Sequence, residues 1–336
     1  MRLTRFYCLF ILSVLLSIPG LAAPLKVHIL DVGQGDAILT QFTTGETMLI
    51  DAGDASAGPG VVKYLQAQGV KKIDILVASH PHEDHIGGMP AVFNAFTHIG
   101  KVWDSGYNHG SQIQRRFLET IKQRHLQYGK PKAGFTQSIG KVRIDVLAPH
   151  PQFITGTDSD ANNNSLVLRL VYGDVSFLLT GDMEEEQRAK CGPWPKSTVL
   201  KVAHHGSRNG TDAAFLRQVA PTLSAISCAK QNGYGHPHAE TLQVLKDARV
   251  KTLTTAIYGA ITFSTDGKTV QWTNTTPPTP AGTTATVAGR YIGNQNSHIF
   301  HLTTCNSLPA EKNRVYFTSR EEAVKAGYRP CKRCNP

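Results

Sequence analysis

Residues 79–88 have the sequence SHPHEDHIGG and directly follow Ile73–Ala78, an apolar run with the length and composition of a buried strand. Four potential metal ligands occupy this stretch in the pattern HxHxDH, namely His80, His82, Asp84 and His85. Imidazole and carboxylate groups bind divalent metals, and the end of a strand can direct several of them to one place. We predict that His80 and His82 bind one metal ion and that Asp84 and His85 bind a second ion beside it.

The HxHxDH pattern is typical of the metallo-β-lactamase superfamily, and further segments of the chain resemble that superfamily in the same order. They are MLIDAG at 48–53, LLTGD at 178–182 and VAHHG at 202–206. The resemblance implies an α/β protein with a four-layer αββα fold. It also implies that Asp182 bridges both metals, that His205 supplies the last ligand, and that Asp51 supports the metal loop without binding metal. We expect His204 to act in catalysis or phosphate binding, and Asp84 to act in catalysis as well as in metal binding.

The chain departs from the superfamily pattern at one ligand of the first metal. A third histidine is usual there, and this chain has Asn162-Asn163-Asn164 at the corresponding position. Asparagine is a poor zinc ligand but an acceptable oxygen donor for Mn²⁺ or Mg²⁺. We assign Asn163 a supporting position beside the metals, with His150 as an alternative substitute for the missing ligand. Two divalent ions, zinc or manganese, are therefore expected.

A narrower resemblance accounts for this departure. DVGQGDA at 31–37, the HxHxDH loop, NNNSLVLRL at 162–170, KVAHHGS at 201–207 and GHPH at 235–238 occur in this order. Together they resemble the hydrolase domain of the ComEC competence proteins over residues 25–272. The resemblance implies a nuclease that acts on DNA at the cell surface. The multi-spanning DNA channel of those proteins is not part of this chain, so the resemblance does not imply transport.

Two of these loops carry further candidate residues. In DVGQGDA, Asp36 is predicted to orient a metal-binding histidine, although the loop is also compatible with a glycine-rich turn without chemistry. His236 and His238 lie in a turn before a predicted helix. His236 is the candidate for contacting a phosphate or protonating a leaving oxygen, and a surface cap is the alternative.

Periodicity places these motifs on a framework of strands and helices. Besides the strand before the HxHxDH loop, apolar runs predict strands at 26–30, 37–42, 46–50, 141–147, 165–172, 175–180, 199–203 and 223–227. Helical spacing predicts helices at 60–68, 212–219 and 240–248. Strands and helices in this mixed order favour sheets covered by helices on their outer faces.

The C-terminal residues contain a second ligand pattern. His301 and Cys305 are followed, 25 residues later, by the pair Cys331 and Cys334. This spacing predicts a tetrahedral structural zinc site, with a disulfide as the alternative. The block 290–336 is too short for a core of its own, so metal binding would itself drive the folding of this small α+β domain.

Residues 291–334 resemble the metal-binding domain of the Ada DNA-repair protein. Ada uses four cysteines, one of which accepts methyl groups, whereas His301 stands at the first ligand position here. The resemblance therefore implies a structural zinc site without methyl-acceptor chemistry. A basic face is predicted to contact DNA phosphates, with a solvated charged surface as the alternative; its residues are Lys312, Arg314, Arg329, Lys332 and Arg333.

The remaining features concern targeting and partners. The chain has 336 residues and a formal net charge of +10, which favours polyanionic partners such as DNA. Arg2 and Arg5, the apolar run 6–18 and small residues after it predict a signal peptide over 1–22. The mature protein would be periplasmic or extracellular, without stable membrane insertion. We assign 23–272 to the hydrolase domain and the Pro/Thr-rich segment 273–289 to a linker.

These observations favour an exported metal-dependent phosphodiesterase, specifically a DNA nuclease that uses metal-activated hydroxide. One alternative is a hydrolase of a cell-envelope phosphodiester such as phosphocholine or teichoic acid. Another is a non-catalytic accessory protein for DNA binding or uptake. The sequence leaves the oligomeric state open.

Overall fold

A computed structural model describes residues 23–275, 291–302, 305, 307–310, 313–317 and 320–334. The predicted signal peptide, most of the predicted linker and Lys312 lie outside the described residues. The chain divides into two compact units, Met1–Pro277 and Pro278–Pro336. Within the described ranges, no helix has the length and apolar character needed to cross a membrane.

The first unit is built from alternating strands and helices. Its strands are, in chain order, β1 (Leu25–Ile29), β2 (Ile38–Gln41), β3 (Thr47–Ile50), β4 (Ile73–Ala78), β5 (Ile99–Asp104), β6 (Gln127–Gly129), β7 (Thr136–Ile139), β8 (Val142–Ala148), β9 (Val167–Tyr172), β10 (Val175–Leu179), β11 (Val199–Lys201), β12 (Leu223–Ile226), β13 (Lys251–Thr254), β14 (Ile261–Thr265) and β15 (Val270–Asn274). Its helices are α1 (Gly58–Ala67), α2 (Glu83–Ile86), α3 (Met89–Ala95), α4 (Gln112–Gln123), α5 (Glu185–Cys191), α6 (Ala213–Val219), α7 (Ala239–Asp247) and α8 (Thr255–Tyr258). Short 3₁₀ turns occupy Asn162–Asn164 and Ala203–Gly206.

The strands form two sheets. One has the order β15-β14-β1-β2-β3-β4-β5-β6 and the other has the order β13-β12-β11-β10-β9-β8-β7. Strands β3 to β6 run parallel in the first sheet, and β10 to β13 run parallel in the second. Each sheet therefore has a parallel half, and the carboxyl ends of its strands point to one edge.

Side-chain alternation explains why both faces of each sheet are buried. In β3, Met48 belongs to the apolar core that contains residues of both sheets, whereas the next residue, Leu49, packs in the cluster that contains Val61 of α1. In β10, Phe177 belongs to the core between the sheets and Leu178 packs with Phe215 of α6. Apolar residues at successive positions thus face two different layers. The predicted αββα arrangement is confirmed.

The predicted strands and helices are present with ends shifted by at most two residues. Several elements were not predicted, including β5, α4 and β13–β15. Strand β15 continues to Asn274, two residues beyond the predicted domain end at 272, and the Thr275 N–H donates to the Ala260 carbonyl at 3.0 Å. The first unit therefore extends beyond the predicted boundary.

The second unit is a small sheet with one helix. It contains β16 (Tyr291–Asn294), β17 (Ile299–Leu302), β18 (Arg314–Phe317), α9 (Arg320–Lys325) and β19 (Arg329–Pro330), with the sheet order β18-β16-β17-β19. Its buried apolar cluster comprises Phe300, Phe317, Ala323 and Tyr328. A side chain on Gly293 would approach Tyr328 to 2.6 Å, so only glycine fits at this point of β16.

Candidate metal centre

The predicted ligands lie where strands of the two sheets end. His80 follows β4 of the first sheet, and Asp182 follows β10 of the second sheet. His205 lies in the 3₁₀ turn after β11. Parallel strands direct the segments after their carboxyl ends to the same edge. Residues that are far apart in sequence are brought together at this edge.

One set of ligands is tightly gathered. The ligand atoms of Asp84, His85, Asp182 and His205 all lie within 4.8 Å of one another. The Oδ2 atom of Asp182 is 3.3 Å from His85 Nε2 and 3.4 Å from His205 Nε2, and Asp84 Oδ2 is 3.3 Å from His205 Nε2. This set has the composition predicted for the second metal.

The candidates for the first metal meet the same carboxylate. His80 Nε2 lies 3.8 Å from Asp182 Oδ2 and 3.0 Å from His82 Nδ1. Burial opposes the ionisation of Asp182, but the imidazoles of His205, His85 and His204 outweigh it and hold the pKa of this carboxyl well below its usual range. Asp182 is thus placed to serve both ligand sets.

The ring nitrogens that face away from the ligand cluster have fixed partners. His85 Nδ1 is 2.8 Å from Asp51 Oδ2, and Asp51 also accepts hydrogen bonds from the N–H and the hydroxyl of Ser79. His205 Nδ1 is 2.9 Å from the Ser227 carbonyl. These contacts direct the Nε2 atom of each ring toward Asp182, as the partners of metal-binding histidines commonly do. Asp51 therefore lies where a supporting residue was predicted.

Asp36 lies near a ligand but has a different principal partner. Its Oδ1 atom is 3.7 Å from His205 Nδ1, whereas its Oδ2 atom forms an ion pair of 2.9 Å with Lys201, and both side chains are buried. The preceding residue, Gly35, passes so close to the Asp84 carbonyl that a Cβ atom would approach it to 2.3 Å. The DVGQGDA loop thus packs against the loop that carries Asp84 and also approaches His205.

The asparagine segment, Asn162–Asn164, forms hydrogen bonds with residues beside the ligand cluster. The Asn163 carboxamide donates to Thr157, Ser159 and Glu184, and its oxygen accepts from the Gln187 N–H. Asn162 lines the cavity in front of the ligands and donates to Glu184 Oε1 at 2.8 Å. His150 accepts from the Gln152 N–H in its own turn, which gives no support to its role as a substitute ligand.

The ligands open into a cavity of about 440 Å³. Its lining includes the carboxylates of Glu83, Asp84, Asp158, Asp182 and Glu184. Such a concentration of negative charge would repel a phosphate group unless cations neutralised it. The lining favours the binding of divalent metals before any anionic substrate.

His236 reaches this cavity and His238 does not line it. Burial and the neighbouring rings of His204 and His205 lower the pKa of His236 to about 4, and Gln34 Nε2 lies 3.3 Å from its Nδ1 atom. His238 accepts from the Arg208 N–H through Nδ1, and its Nε2 is 3.1 Å from the Tyr234 carbonyl. His238 is therefore engaged in holding the loop, and His236 is the ring that can meet a substrate.

The residues present fit divalent metals. His85 Nε2, His205 Nε2 and Asp182 Oδ1 are buried and have no hydrogen-bond partner among the described residues. Buried polar atoms are rarely left without partners. Imidazole nitrogens and carboxylates that converge in this way are a donor set for zinc or manganese.

The predicted ligands of the second unit also converge. The ligand atoms of His301, Cys305, Cys331 and Cys334 lie within 4.8 Å of one another, and the described cysteines are free thiols. The Leu302 N–H donates to the Cys334 sulfur at 3.4 Å. This set fits a structural zinc ion, and no disulfide joins these residues here.

The predicted DNA-contacting residues of this unit differ in their availability. Arg329, Lys332 and Arg333 are exposed, although one Arg333 nitrogen donates to the Ser307 hydroxyl at 2.8 Å. Arg314 donates from Nε to the Pro309 carbonyl and is partly buried. Three of the five predicted residues are thus exposed in the described part of the unit.

Four residues of the centre were not predicted, namely Ser79, Glu184, Lys201 and Gln34. Ser79 immediately precedes the HxHxDH pattern, and Gln34 lies inside the DVGQGDA segment, so both were within quoted motifs. Glu184 follows Asp182 by two residues, and this proximity was a usable signal. Lys201 gave a weaker signal, since a lysine at the end of an apolar strand is commonly exposed.

Comparisons with known proteins agree with this geometry. Residues 30–230 match the family described as the metallo-beta-lactamase superfamily, and residues 285–336 match the metal binding domain of Ada. CmlA, a diiron beta-hydroxylase from Streptomyces venezuelae, superposes with a TM-score of 0.50 at 12% sequence identity, over 72% of this chain and 54% of that chain. At this identity the similarity concerns the fold alone.

Similarity to competence proteins is also found. ComE operon protein 3 of Bacillus subtilis is 29% identical over 283 residues, covering 78% of this chain and 36% of that protein. Competence protein ComA of Neisseria gonorrhoeae is 33% identical over 242 residues, covering 70% of this chain and 32% of that protein. The chain spans about a third of the length of these relatives. The predicted resemblances are confirmed, and the chain belongs to the metallo-β-lactamase superfamily.

Proposed function

We propose that this protein is an exported metal-dependent phosphodiesterase that cleaves DNA. The observation that carries the proposal is the convergence of two ligand sets on Asp182 at the base of an acidic cavity. A single ion would not require two sets of imidazoles around one carboxylate. Two adjacent ions are the arrangement that many phosphodiester-cleaving enzymes use.

Named residues would hold each ion. His80, His82 and Asp182 would hold the first ion, and Asp84, His85, His205 and Asp182 would hold the second. When bound, the two cations would activate a water molecule and neutralise the charge that develops on the phosphate. The hydrogen bonds of Asp51 and Ser227 keep the imidazole rings in position while the substrate enters.

His236 is the residue proposed to contact the substrate directly. Its pKa of about 4 keeps the ring neutral near pH 7. Because Gln34 contacts Nδ1, the Nε2 atom is left for a phosphate oxygen or for the leaving oxygen. A neutral ring with its proton on Nε2 can donate a hydrogen bond to a phosphate oxygen or to the leaving oxygen there.

DNA is proposed as the substrate on three grounds. The Tyr234 ring is 68% exposed at the cavity and stacks on His236, so its outer face is available to a base. The formal net charge of +10 and the exposed Arg329 and Lys332 of the second unit favour a polyanion. The name of one relative refers to competence, which concerns that protein and which we extend to DNA here.

The test is incubation of the mature protein with plasmid DNA and Mn²⁺ or Zn²⁺. The His82→Ala variant should lose cleavage by at least about 100-fold, because it removes a ligand of the first ion. Cys191→Ser, which changes a partly buried thiol away from the ligands, is the matched control and should cleave normally. The proposal fails if the wild type cleaves no DNA with any divalent ion.

The same assay separates the alternatives. Turnover of a chromogenic phosphodiester without DNA cleavage would favour a cell-envelope substrate. Salt-sensitive DNA binding that persists in Asp182→Ala, with no cleavage by the wild type, would favour a non-catalytic accessory protein. Export is tested independently by N-terminal sequencing of the secreted protein, which should begin near Ala23.

A further inference from the structure

The sequence predicts only two imidazole ligands for the first metal, His80 and His82, whereas the superfamily usually has three. Asn163 and Asn164 cannot replace the missing histidine, because their carboxamides are used within the protein. Asn163 contacts Glu184 and Gln187, and Asn164 exchanges hydrogen bonds with the backbone of Ile154. Asn162 keeps a buried carboxamide oxygen without a partner among the described residues, but such an oxygen is not an imidazole, so a third imidazole must come from another segment.

His204 lies in the required position. Its Nε2 atom is 3.8 Å from Asp182 Oδ2, the same distance that separates His80 Nε2 from this oxygen. Four imidazole Nε2 atoms thus surround one carboxylate oxygen, those of His80, His85, His204 and His205. Three of these rings, His80, His85 and His205, were predicted from sequence to bind metal, whereas His204 was assigned to catalysis or phosphate binding.

A buried carboxylate stands behind the His204 ring. Glu184 Oε1 lies 3.1 Å from His204 Nδ1, an ion-pair distance without the alignment of a hydrogen bond, and Glu184 is only 4% exposed. Asn162 donates to Glu184 Oε1 at 2.8 Å, and Asn163 donates to Oε2 at 3.3 Å. A carboxylate that contacts the far nitrogen of a histidine is the usual support of a metal ligand, since it fixes the tautomer and strengthens the ligand.

The backbone supports this arrangement as well. His204 and His205 adopt φ values of 49° and 53°, in the left-handed region that residues with side chains rarely occupy. Such strain persists where surrounding structure requires it, and it concentrates at functional sites. Here it allows two consecutive side chains to reach the same Asp182 oxygen.

We propose that His204 is the third imidazole ligand of the first metal and that Glu184, held by Asn162 and Asn163, is its positioning residue. The asparagine segment then has a definite role. The amide nitrogens of Asn162 and Asn163 hold the carboxylate that orients a histidine supplied by the turn after β11. This inference concerns metal binding and does not depend on the substrate being DNA.

The experiment measures Co²⁺ binding to the full chain in two ways. The bound metal is counted after dialysis against trace Co²⁺, and the visible d–d absorption of bound Co²⁺ is recorded while the protein is titrated with Co²⁺. The wild type should bind two ions in the first unit, called the large unit below, and one ion in the second unit, called the tail. The tail site serves as an internal standard. His204→Ala and His82→Ala should each bind one ion fewer, while His238→Ala, which changes a nearby ring that does not face the cavity, should match the wild type.

Glu184→Gln keeps the shape of the side chain and tests the positioning role. It should retain the third ligand but weaken Co²⁺ binding at one site by about 10- to 100-fold and alter the d–d spectrum of that site. Thermal unfolding of the metal-free forms shows whether each variant is folded. If His204→Ala fails to fold, the Glu184→Gln titration decides the question.

The proposal is overturned if folded His204→Ala binds as many ions as the wild type with unchanged affinity while His82→Ala loses one. It is also overturned if Glu184→Gln leaves both the affinity and the spectrum unchanged. Absence of DNA cleavage by a wild type that binds two ions in the large unit would contradict the proposed substrate and leave this assignment intact.

Discussion

The two candidate metal sites of this protein stand on very different supports. In the large unit, the ligands follow strands of two sheets whose apolar core includes fully buried residues such as Phe177, Phe263 and Met48. In the tail, four ligands accompany a cluster that comprises, among the described residues, the buried apolar side chains of Phe300, Phe317, Ala323 and Tyr328. One site is placed by a framework, whereas the other must help to create its framework.

The two candidate metal sites also differ in the types of ligand that they offer. The large unit offers imidazoles and carboxylates beside an open cavity, where substrate and water can approach a metal. The tail offers three thiols and one imidazole, and His301, Cys305 and Cys331 are buried. A closed set of four ligands suits a structural ion. Metal removal should therefore affect chemistry in the large unit and folding in the tail.

The largest expected effect is the response of the tail to metal removal. Because structural zinc supplies about 10 kcal/mol or more of apparent binding energy in small domains, chelation should unfold residues 291–334 while leaving the large unit folded. Hydrogen exchange followed by mass spectrometry reports both units in one chain. Amide protection should disappear in the tail and persist in β3, β4 and β10.

Substitutions test the same contrast without a chelator. Cys331→Ser should reproduce the loss of protection in the tail, and Cys191→Ser, a free cysteine of the large unit, should not. Retained protection of the tail in metal-free protein would contradict the idea that its core is insufficient. Loss of protection in β4 on chelation would contradict the idea that the large unit is independent of its metals.

A second prediction concerns the framework behind the large-unit ligands. Lys201 and Asp36 form a buried ion pair, so Lys201→Met leaves a buried carboxylate without its partner. Removing one member of such a pair typically costs about 3–5 kcal/mol. We expect a decrease of this size in the free energy of unfolding of metal-free protein, measured by urea denaturation.

Matched variants separate this effect from a general loss of charge. Lys72 pairs with Asp74 at 2.6 Å on the surface, and Lys72→Met should leave the denaturation midpoint nearly unchanged. The double variant Lys201→Met with Asp36→Asn should recover part of the lost stability. If Lys201→Met and Lys72→Met behave alike, the ion pair does not stabilise the framework.

The ligands were predictable because each belongs to a local pattern at the end of a strand. The HxHxDH stretch follows β4, and Asp182 and His205 follow the apolar runs of β10 and β11, so the order of motifs indicated the fold. Glu184 and Lys201 were missed because their partners, His204 and Asp36, become neighbours only when the chain folds. Local periodicity carries no information about such pairs.

Two further differences have local physical causes. Helix α4 was not predicted, although Ser111 caps its first turn and Phe117 and Ile121 recur at helical spacing. These signals lay in a polar stretch and were overlooked. The direction of the Asn163 carboxamide depended on the 3₁₀ turn that contains it, and the sequence did not predict that turn.

The smallest effect concerns acid sensitivity of the large unit away from its metals. His28 is buried in β1 against Tyr64, Gln41 and Thr262, and burial lowers its pKa to about 4. In the unfolded chain this imidazole takes up a proton near its ordinary pKa of 6.5, whereas in the folded chain it does not do so until about pH 4. Stability should therefore fall as the pH decreases between these values, by about 3 kcal/mol.

In His28→Gln this part of the pH dependence should be absent from urea denaturation of metal-free protein, while His98→Gln, which changes an exposed ring, should keep it. Parallel stability curves for His28→Gln and the wild type would show that this buried ring does not contribute to the acid sensitivity.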